Sequence, residues 1–397
     1  MFTDGEVIIV GGGPAGLTAA ISLARHAPRL AERVTVLEAA NYPREKFCAG
    51  AVGGRGDAIL RALEASPEVA HAPIEGISLR VGAGVVAARI GAIGRVVRRI
   101  EFDHALAKIA RRAGVRIVEG ARVHEVVARA RGARVETTKG ALEAAVVVGA
   151  DGVGSVVRKA MGLGRGAFRA QVLEVDTPMV AGDRERSFIH FDAADRRYPG
   201  YSWDFPTVLH GEELVCRGIY HLRVADEVVD IQALLAERLA GMGLDLAECK
   251  NKRYAERGFE TRGEIARGPM MLIGEAAGID PITGEGIAQA IEYGELCARF
   301  LCDHFERGVP LHTWGDAVHR SRLGRDLAVR ALAVPAFYGP GRARTEKFLH
   351  QSEHALHLGC QHFGGVPIDR PRLAKLVAHG AVELAAEGLS RVWSKRG

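Results

Sequence analysis

The chain has 397 residues, of which 48% are hydrophobic and 25% are charged, and its net charge is +5. This composition excludes a disordered chain, and the length suffices for one large or two medium domains. No apolar run reaches about 18 residues, and the first turn signal comes as early as Gly11. The sequence therefore predicts neither a membrane span nor a secretory signal peptide, and we expect a cytoplasmic protein.

The cysteines and histidines predict no disulfide framework and no metal site. Without a C-x-x-C pair, reduced thiols are the expected state of Cys48, Cys216, Cys249, Cys297, Cys302 and Cys360. The histidines at 104, 124 and 190 lack the spacing of metal ligands. No basic block alternates with aromatic residues, so nucleic acid is not an expected partner.

The first elements in chain order predict a βαβ unit. Residues 6–10 are a short β-branched apolar run, residues 17–25 have helical spacing, and residues 34–38 form a second apolar run. The G-x-G-x-x-G pattern between the first strand and the helix comprises Gly11, Gly13 and Gly16. Such glycines permit a tight turn, a close approach of backbone to pyrophosphate, and close packing of helix on strand.

Glu38 ends the second strand, 22 residues after Gly16, where an acid can accept the ribose hydroxyls of an adenosine. A glycine motif alone also occurs in purely structural turns. Its position between strand and helix, together with Glu38, favours dinucleotide binding. An acid at this position disfavours the 2′-phosphate of NADP.

The following segments depart from a simple dehydrogenase pattern. Residues 41–54 are so rich in glycine that we expect an irregular loop. Residues 95–103 predict a strand that runs into Asp103, which would cap a helix over 105–112. Residues 115–118 and 123–127 follow as predicted strands.

Two further strands end in glycine-rich turns. Residues 145–152 predict a buried strand ending at Asp151, before a helix that carries Ser155 and Arg158. Residues 269–278 predict another apolar strand. A second glycine-rich turn follows at 281–287, before a helix over 288–305.

Residues 75–98 and about 168–260 show alternating strands, for example 75–81 and 213–219, with a helix at 228–240. They predict an antiparallel substrate sheet, with the active site at its seam with the nucleotide-binding layer. Tyr201, Trp203 and Phe205 alternate in this region and are predicted to share one strand face, where they could hold a hydrocarbon chain or form ordinary sheet core. Pro206 is expected to end this strand.

The chain beyond residue 305 predicts helices. An amphipathic pattern near its end would suit an interfacial membrane helix or, alternatively, a helix docked on its own protein. The residues that form this pattern are Leu373, Leu376, Val377, Ala381, Leu384 and Leu389, followed by Arg391, Lys395 and Arg396.

The three separated glycine-rich strand ends resemble the flavoprotein monooxygenase and reductase superfamily over residues 6–305. The resemblance implies FAD bound along an α/β, Rossmann-like domain of the para-hydroxybenzoate hydroxylase type, formed by 1–75, 99–165 and 262–305. It also implies an inserted antiparallel substrate domain over 76–98 and 166–261, and a helical region over 306–397. The helix at Ile287 would aim its positive end at the N1/O2 edge of the flavin.

Two stretches are similar to the geranylgeranyl reductase family within this superfamily. Residues 43–50 resemble its P-R-x-K-x-C-G-G loop, and residues 201–206 match its Y-x-W-x-F-P motif. Ala49, Thr207 and Glu275 depart from the family's usual glycine, lysine and aspartate. The FAD contacts that the resemblance implies are Gly11, Gly13, Ala15, Gly16, Glu38, Arg44, Lys46, Cys48, Ala49, Arg99, Val123, Asp151, Glu275, Gly284, Gly286 and Ile287.

The implied activity is reduction of C=C double bonds in a hydrophobic, isoprenoid-like substrate by reduced flavin. The implied catalytic set is Tyr201, Trp203, Phe205 and Cys48, with Tyr201 and Cys48 as candidate proton donors. Cys48 could instead be a small packing residue. Because no second G-x-G-x-x-G motif with an acid occurs, the electron donor, NAD(P)H or a reductase or ferredoxin, is expected to bind transiently.

Three alternatives remain open at this stage. The same scaffold serves FAD monooxygenases that act on aromatic or polyketide substrates. Flavin halogenases carry W-x-W-x-I-P where this chain has Y-x-W-x-F-P at 201–206. A redox sensor would bind FAD without catalysis.

Overall fold

The computed structural model describes residues 6–183, 185–223 and 228–379. Its first sheet has six strands, all parallel except β16, in the order β16–β17–β10–β1–β2–β6. These strands are β1 (Val7–Val10), β2 (Val34–Leu37), β6 (Arg116–Val118), β10 (Val146–Gly149), β16 (Ala266–Arg267) and β17 (Met270–Leu272). β1, β2 and β10 are buried throughout, as expected for parallel strands covered on both faces.

Five helices lie between these strands in the chain, namely α1 (Pro14–His26), α2 (Pro28–Ala31), α3 (Gly54–Ala62), α4 (Arg99–Arg112) and α5 (Val156–Ala160), and α7 (Ile287–Arg307) follows β17. α1 and α7 pack closely because Gly294 has no side chain: a β-carbon there would lie 2.6 Å from Ala15 O. A separate three-stranded sheet is formed by β7 (Val123–Ala128), β8 (Ala133–Thr137) and β9 (Gly140–Ala144).

The second large sheet has eight strands in the order β15–β11–β14–β13–β12–β4–β5–β3. These are β3 (Ala51–Gly53), β4 (His71–Val81), β5 (Gly84–Val97), β11 (Arg169–Thr177), β12 (Phe188–Asp192), β13 (Gly200–Leu209), β14 (Glu212–Arg223) and β15 (Lys252–Arg257). The expectation of a wholly antiparallel sheet is wrong at one place, because β12 pairs with β4 in parallel. The α6 helix (Ile231–Ala240) packs on this sheet, and Asp230 caps its first turn.

The C-terminal region consists of α8 (Trp314–Arg320), α9 (Arg322–Tyr338), α10 (Arg342–Gln351) and α11 (Glu353–Gly364), followed by a helical segment over 370–379. Short 3₁₀ turns occupy Leu246–Glu248, Gly274–Ala276 and Leu311–Thr313. Of the predicted amphipathic pattern, Leu373 to Val377 lie in the 370–379 segment, and the positions from Ala381 onward lie outside the described residues. Across the described ranges, no helix combines the length and apolar character that crossing a bilayer requires.

Three local predictions are corrected by the fold. The predicted loop over 41–54 contains β3, which pairs with β5, and it ends where α3 begins. The α4 helix begins at Arg99, so Asp103 lies inside the helix and does not cap it. Pro206 lies within β13, opposite Val215 of β14, and the strand continues to Leu209.

The domain boundaries remain a prediction. β4 begins at His71 and thus crosses the expected boundary after residue 75, and β3 belongs to the second large sheet.

Candidate functional site

One large cavity, of about 810 Å³, lies where the two large sheets meet the C-terminal helices. Its wall includes the turn after β1, the loop over 44–51, the aromatic face of β13, and the turn before α7. Every residue predicted to contact cofactor or substrate lines this cavity, with the exception of Gly16. A volume of this size is typical of a cofactor or ligand site.

Gly16 contributes by packing, behind the cavity wall. It lies in the first turn of α1, and a β-carbon there would overlap the carbonyl oxygen of Gly11. Gly11 itself has φ of +110°, in the region that favours glycine. The two glycines therefore bring the start of α1 onto the end of β1. No side chain caps α1, so its first amides and positive dipole end face the cavity, as anion binding requires.

Glu38 is held at the end of β2 by the backbone. One carboxylate oxygen accepts from Gly12 N at 3.1 Å and the other from Ala40 N at 3.0 Å. Arg44 Nε lies 3.2 Å from the first of these oxygens. Carboxylate oxygens have further lone pairs, so Glu38 retains the capacity to accept ribose hydroxyls.

A pair of arginines flanks the same turn and shares one buried carboxylate. Asp103, which has no exposed surface, accepts two bonds of 2.7 Å from Arg99 and one of 2.9 Å from Arg44. Burial lowers the pKa of the Arg99 guanidinium, but Asp103 outweighs this effect and the net shift is upward. Asp103 and Glu38 together balance the two guanidinium charges, so a diphosphate would be attracted by the fixed N–H groups of the arginines and by the positive end of α1.

Several buried carboxylate oxygens of the cavity wall have no hydrogen-bond partner among the described residues. They are Asp151 Oδ1, Glu256 Oε2, Glu275 Oε1 and Glu285 Oε1. An unsatisfied buried acceptor costs about 1–3 kcal/mol, so these positions favour a ligand that brings hydroxyl or N–H donors. The ribityl chain and ribose of FAD carry such donors, and the residues present fit this cofactor.

Three tyrosines from different elements hold the turn over 281–284. Tyr201 of β13 donates to Thr283 O, Tyr220 of β14 to Pro281 O at 3.0 Å, and Tyr338 of α9 to Ile282 O. Burial raises the pKa of each phenol well above its usual value, so the phenols remain protonated donors. The turn is thereby fixed directly before the N-terminus of α7.

The predicted aromatic face exists. The ring of Trp203 lies 6.1 Å from those of Tyr201 and Phe205, and all three side chains are at least nine-tenths buried. Tyr201 stacks on Tyr220 at 5.1 Å, and Phe191 meets the edges of Tyr201 and Phe205. The rings belong to the hydrophobic core of the second sheet and also line the cavity, so the two interpretations of the motif are compatible.

Cys48 is partly buried in the loop beside Arg99. Its backbone amide donates to Glu174 Oε1 at 3.1 Å. Burial raises the pKa of its thiol, and the nearby Arg99 only partly opposes this effect. The thiol is therefore protonated at neutral pH; whether its role is packing or proton donation stays a prediction.

Sequence reasoning missed two groups of cavity residues. Tyr254 and Glu256 alternate along β15, and this period-2 pattern next to an aromatic residue was a signal that could have identified Glu256. The C-terminal helices supply the second group, which could not be placed from local patterns: Phe337, Tyr338, Leu349, Leu356 and Phe363.

Comparison with known proteins agrees with these features. Residues 4–191 match the family described as FAD binding domain. A menaquinone reductase of Mycolicibacterium smegmatis is 28% identical over 331 residues, covering 76% of this chain and 77% of that protein. A digeranylgeranylglycerophospholipid reductase of Methanothrix thermoacetophila is 28% identical over 328 residues, covering 76% of this chain and 79% of that protein.

Solved structures share the fold. A geranylgeranyl bacteriochlorophyll reductase-like protein of Thermoplasma acidophilum superposes with a TM-score of 0.74 at 19% identity, covering 96% of this chain and 98% of that one. The p-nitrophenol 4-monooxygenase of Pseudomonas putida has a TM-score of 0.67 at 18% identity, covering 91% and 97%. At such identities the likeness concerns architecture, and it confirms the predicted FAD-binding α/β fold.

Proposed function

We propose that this chain is a member of the FAD-dependent geranylgeranyl reductase family and that it reduces C=C double bonds of a hydrophobic, isoprenoid-like substrate. The chain is an FAD-dependent oxidoreductase; the substrate and the direction of its chemistry are the proposal.

The observation that carries the proposal is the division of the cavity into a charged and an apolar part. The charged part comprises the α1 turn, Arg44 and Arg99, and the C-terminal helices add Arg330, Arg342 and Glu346 to the cavity wall. The apolar part is walled by the β13 rings and by aliphatic or aromatic side chains from β4, β12 and the C-terminal helices, including Ile77, Leu79, Ile189, Phe191, Leu349 and Leu356. Contact area of this kind favours a long hydrocarbon chain over a small polar substrate.

FAD supplies hydride when it is bound in its reduced form. The residues of the chain would bind and orient FAD and would keep water out of the cavity. Arg44 and Arg99 would hold the diphosphate, Glu38 the adenosine ribose, and Glu275 a ribityl hydroxyl. The turn over 281–284, held by its three tyrosines, would position the ring against the aromatic face. The buried rings of that face exclude water, which protects a reactive donor from side reactions.

The proposed function also requires a source of electrons and access to a hydrophobic substrate. We propose that NAD(P)H, or a reductase or ferredoxin, delivers electrons transiently. We also propose that the protein works in the cytoplasm in peripheral contact with a membrane that supplies the substrate. Exposed apolar side chains in the C-terminal region support this contact, namely Val329, Leu332, Leu373 and Val377.

The test uses the purified holoprotein. Its flavin is photoreduced without air, and menaquinone and prenyl lipids are then added in separate experiments. Flavin reoxidation together with a product that has gained two hydrogens in its prenyl chain, located by fragmentation in mass spectrometry, supports the proposal, whereas two hydrogens gained only on the quinone ring do not. Heat-released flavin, photoreduced in the same way, is the control. If reduced enzyme reoxidises only in air and the product has gained oxygen, the protein is a monooxygenase and the proposal is wrong.

A further inference from the structure

We propose that Glu256 donates the proton in this reduction, because it lines the cavity where the turn over 281–284 meets the aromatic wall, and its buried Oε2 atom has no hydrogen-bond partner among the described residues. This inference rests on the proposed function, since it assigns the second hydrogen of the reduced double bond.

The geometry places the Glu256 carboxyl at a junction. Glu256 lies on β15, and the alternation of this strand turns Tyr254 and Glu256 toward the cavity while Arg253 and Ala255 are exposed. A β-carbon on Gly284 would lie 2.6 Å from Glu256 Oε2 and 3.1 Å from the ring of Tyr220. The absence of a side chain at Gly284 therefore lets the carboxyl and the aromatic wall approach the turn together.

The phenolic protons of the cavity wall are engaged, and the Cys48 thiol is the competing proton donor. The phenols of Tyr201, Tyr220 and Tyr338 donate to the turn, and Tyr254 donates to Glu174 at 2.9 Å. A phenol that already donates to a fixed carbonyl must break that bond before it can protonate a substrate carbon.

The remaining carboxylates of the wall already have hydrogen-bond or ion-pair partners, and Glu45 pairs with Lys250. Glu38, Glu285 and Glu346 are each paired with an arginine, and Asp151 accepts from the amides of Val156 and Val157. Glu275 and Glu256 lack an ion pair within 4.0 Å among the described residues. Glu275 lies in the 3₁₀ turn Gly274–Ala276 that follows β17, where the family resemblance implies a ribityl contact. Glu256 is therefore the carboxyl that has no other assigned role.

The surroundings of Glu256 favour its protonated form over the carboxylate. Burial raises its pKa well above the usual value, and the nearby carboxylates raise it further, against the opposing charge of Lys46. The charged and titratable groups that face it are Glu275, Lys46, Glu174, Asp280, Cys48, Tyr201, Tyr220 and Tyr254. A carboxyl that is protonated at neutral pH is suited to act as a general acid.

The chemistry balances. The π bond of one C=C is replaced by two C–H bonds: the reduced cofactor provides hydride to one carbon, and Glu256 provides a proton to the other. The cofactor is thereby oxidised by two electrons. Glu256 becomes a carboxylate, whose charge Lys46 offsets, and solvent returns the proton before the next turnover.

The kinetic test compares Glu256→Gln and Glu256→Asp with Glu248→Gln, an exposed carboxylate outside the cavity. Reduced holoenzyme is mixed with substrate without air, and flavin reoxidation is followed. Loss of a general acid slows this step by about 100-fold or more in Glu256→Gln, while FAD content is retained. Glu256→Asp recovers part of the rate. The wild-type rate falls as pH rises through the pKa of Glu256, and this limb disappears in Glu256→Gln.

An independent readout uses the apoprotein. Infrared spectroscopy should show the carbonyl stretch of a protonated carboxyl at neutral pH, lost in Glu256→Gln and retained in Glu248→Gln. Absence of that band overturns the proposal even where a variant does not retain FAD. An unchanged rate and pH profile in Glu256→Gln overturns it as well, and so does a loss confined to Cys48→Ala. If the wild type saturates no double bond, the proposed function has failed, whereas the infrared band still reports on Glu256.

Discussion

Asp103 offers a sharp test of how the cofactor end of the cavity is built. The sequence pattern predicted that Asp103 caps a helix. In that role its replacement by asparagine would leave the free energy of unfolding almost unchanged, because asparagine caps equally well. In the structure it is a fully buried carboxylate that accepts three hydrogen bonds from Arg44 and Arg99. Asp103→Asn removes the negative charge that Arg44 and Arg99 share, while Arg44 keeps Glu38 as a second carboxylate at 3.2 Å.

Breaking a buried ion pair by removing one partner costs about 3–5 kcal/mol. We expect Asp103→Asn to lower the free energy of unfolding by an amount in this range, a large part of a typical domain's stability. Both arginines are also released from their positions, so FAD retention should fall. The measurements are urea unfolding of the apoprotein and FAD titration by fluorescence.

Asp230→Asn is the matched control for Asp103→Asn, because Asp230 is an exposed cap that accepts from the amides of Gln232 and Ala233. It should change the stability by only a few tenths of a kcal/mol, on the order of the spread among good capping residues. Equal, small effects of the two substitutions would refute the shared-carboxylate reasoning. A double-mutant cycle with Arg99→Met should show strong coupling to Asp103→Asn.

Three further outcomes are expected. Gly16→Ala should abolish FAD retention although Gly16 is not in the cavity wall, whereas Gly164→Ala, where a β-carbon meets open space, should retain FAD; absorbance of the purified proteins decides this. Tyr201→Phe should weaken FAD binding by about 1 kcal/mol, the net worth of one hydrogen bond, measured by titration against wild type. The pKa of His362 is lowered to about 3 by burial and by Arg55, so the unfolded chain takes up its proton first as pH falls. Stability should therefore decline from about pH 6.5 toward pH 3, by at most about 1.4 kcal/mol per unit, and His362→Gln should flatten this slope in urea unfolding.

The spacing of neighbouring residues was sufficient to predict the nucleotide-binding elements. The glycines at 11, 13 and 16 act within one turn between a strand and a helix. Their role therefore depends only on residues that are close in sequence. The same holds for the alternation of Tyr201, Trp203 and Phe205, whose common face follows from strand geometry alone.

Other features depend on contacts between distant segments and could not be found in this way. The partner that determines the role of Asp103 is Arg44, 59 positions away, and a local pattern offered only a helix cap. The parallel pairing of β12 with β4 joins residues 188–192 to 76–80, which no hairpin signal connects. The cavity side chains of α9 to α11 likewise come from helices whose pattern indicates a buried face but not what covers it.

The turn over 281–284 connects the charged and the apolar part of the cavity. Its carbonyl groups accept from tyrosines of β13, β14 and α9, and Asp280 at its start pairs with Arg330 of α9. A substitution in the aromatic wall therefore disturbs the segment that precedes α7, and with it the cofactor end. Loss of activity in a wall variant does not by itself indicate loss of substrate contact. Only a rise in KM at unchanged FAD affinity assigns a ring to the substrate, because displacement of the turn would weaken FAD binding at the same time.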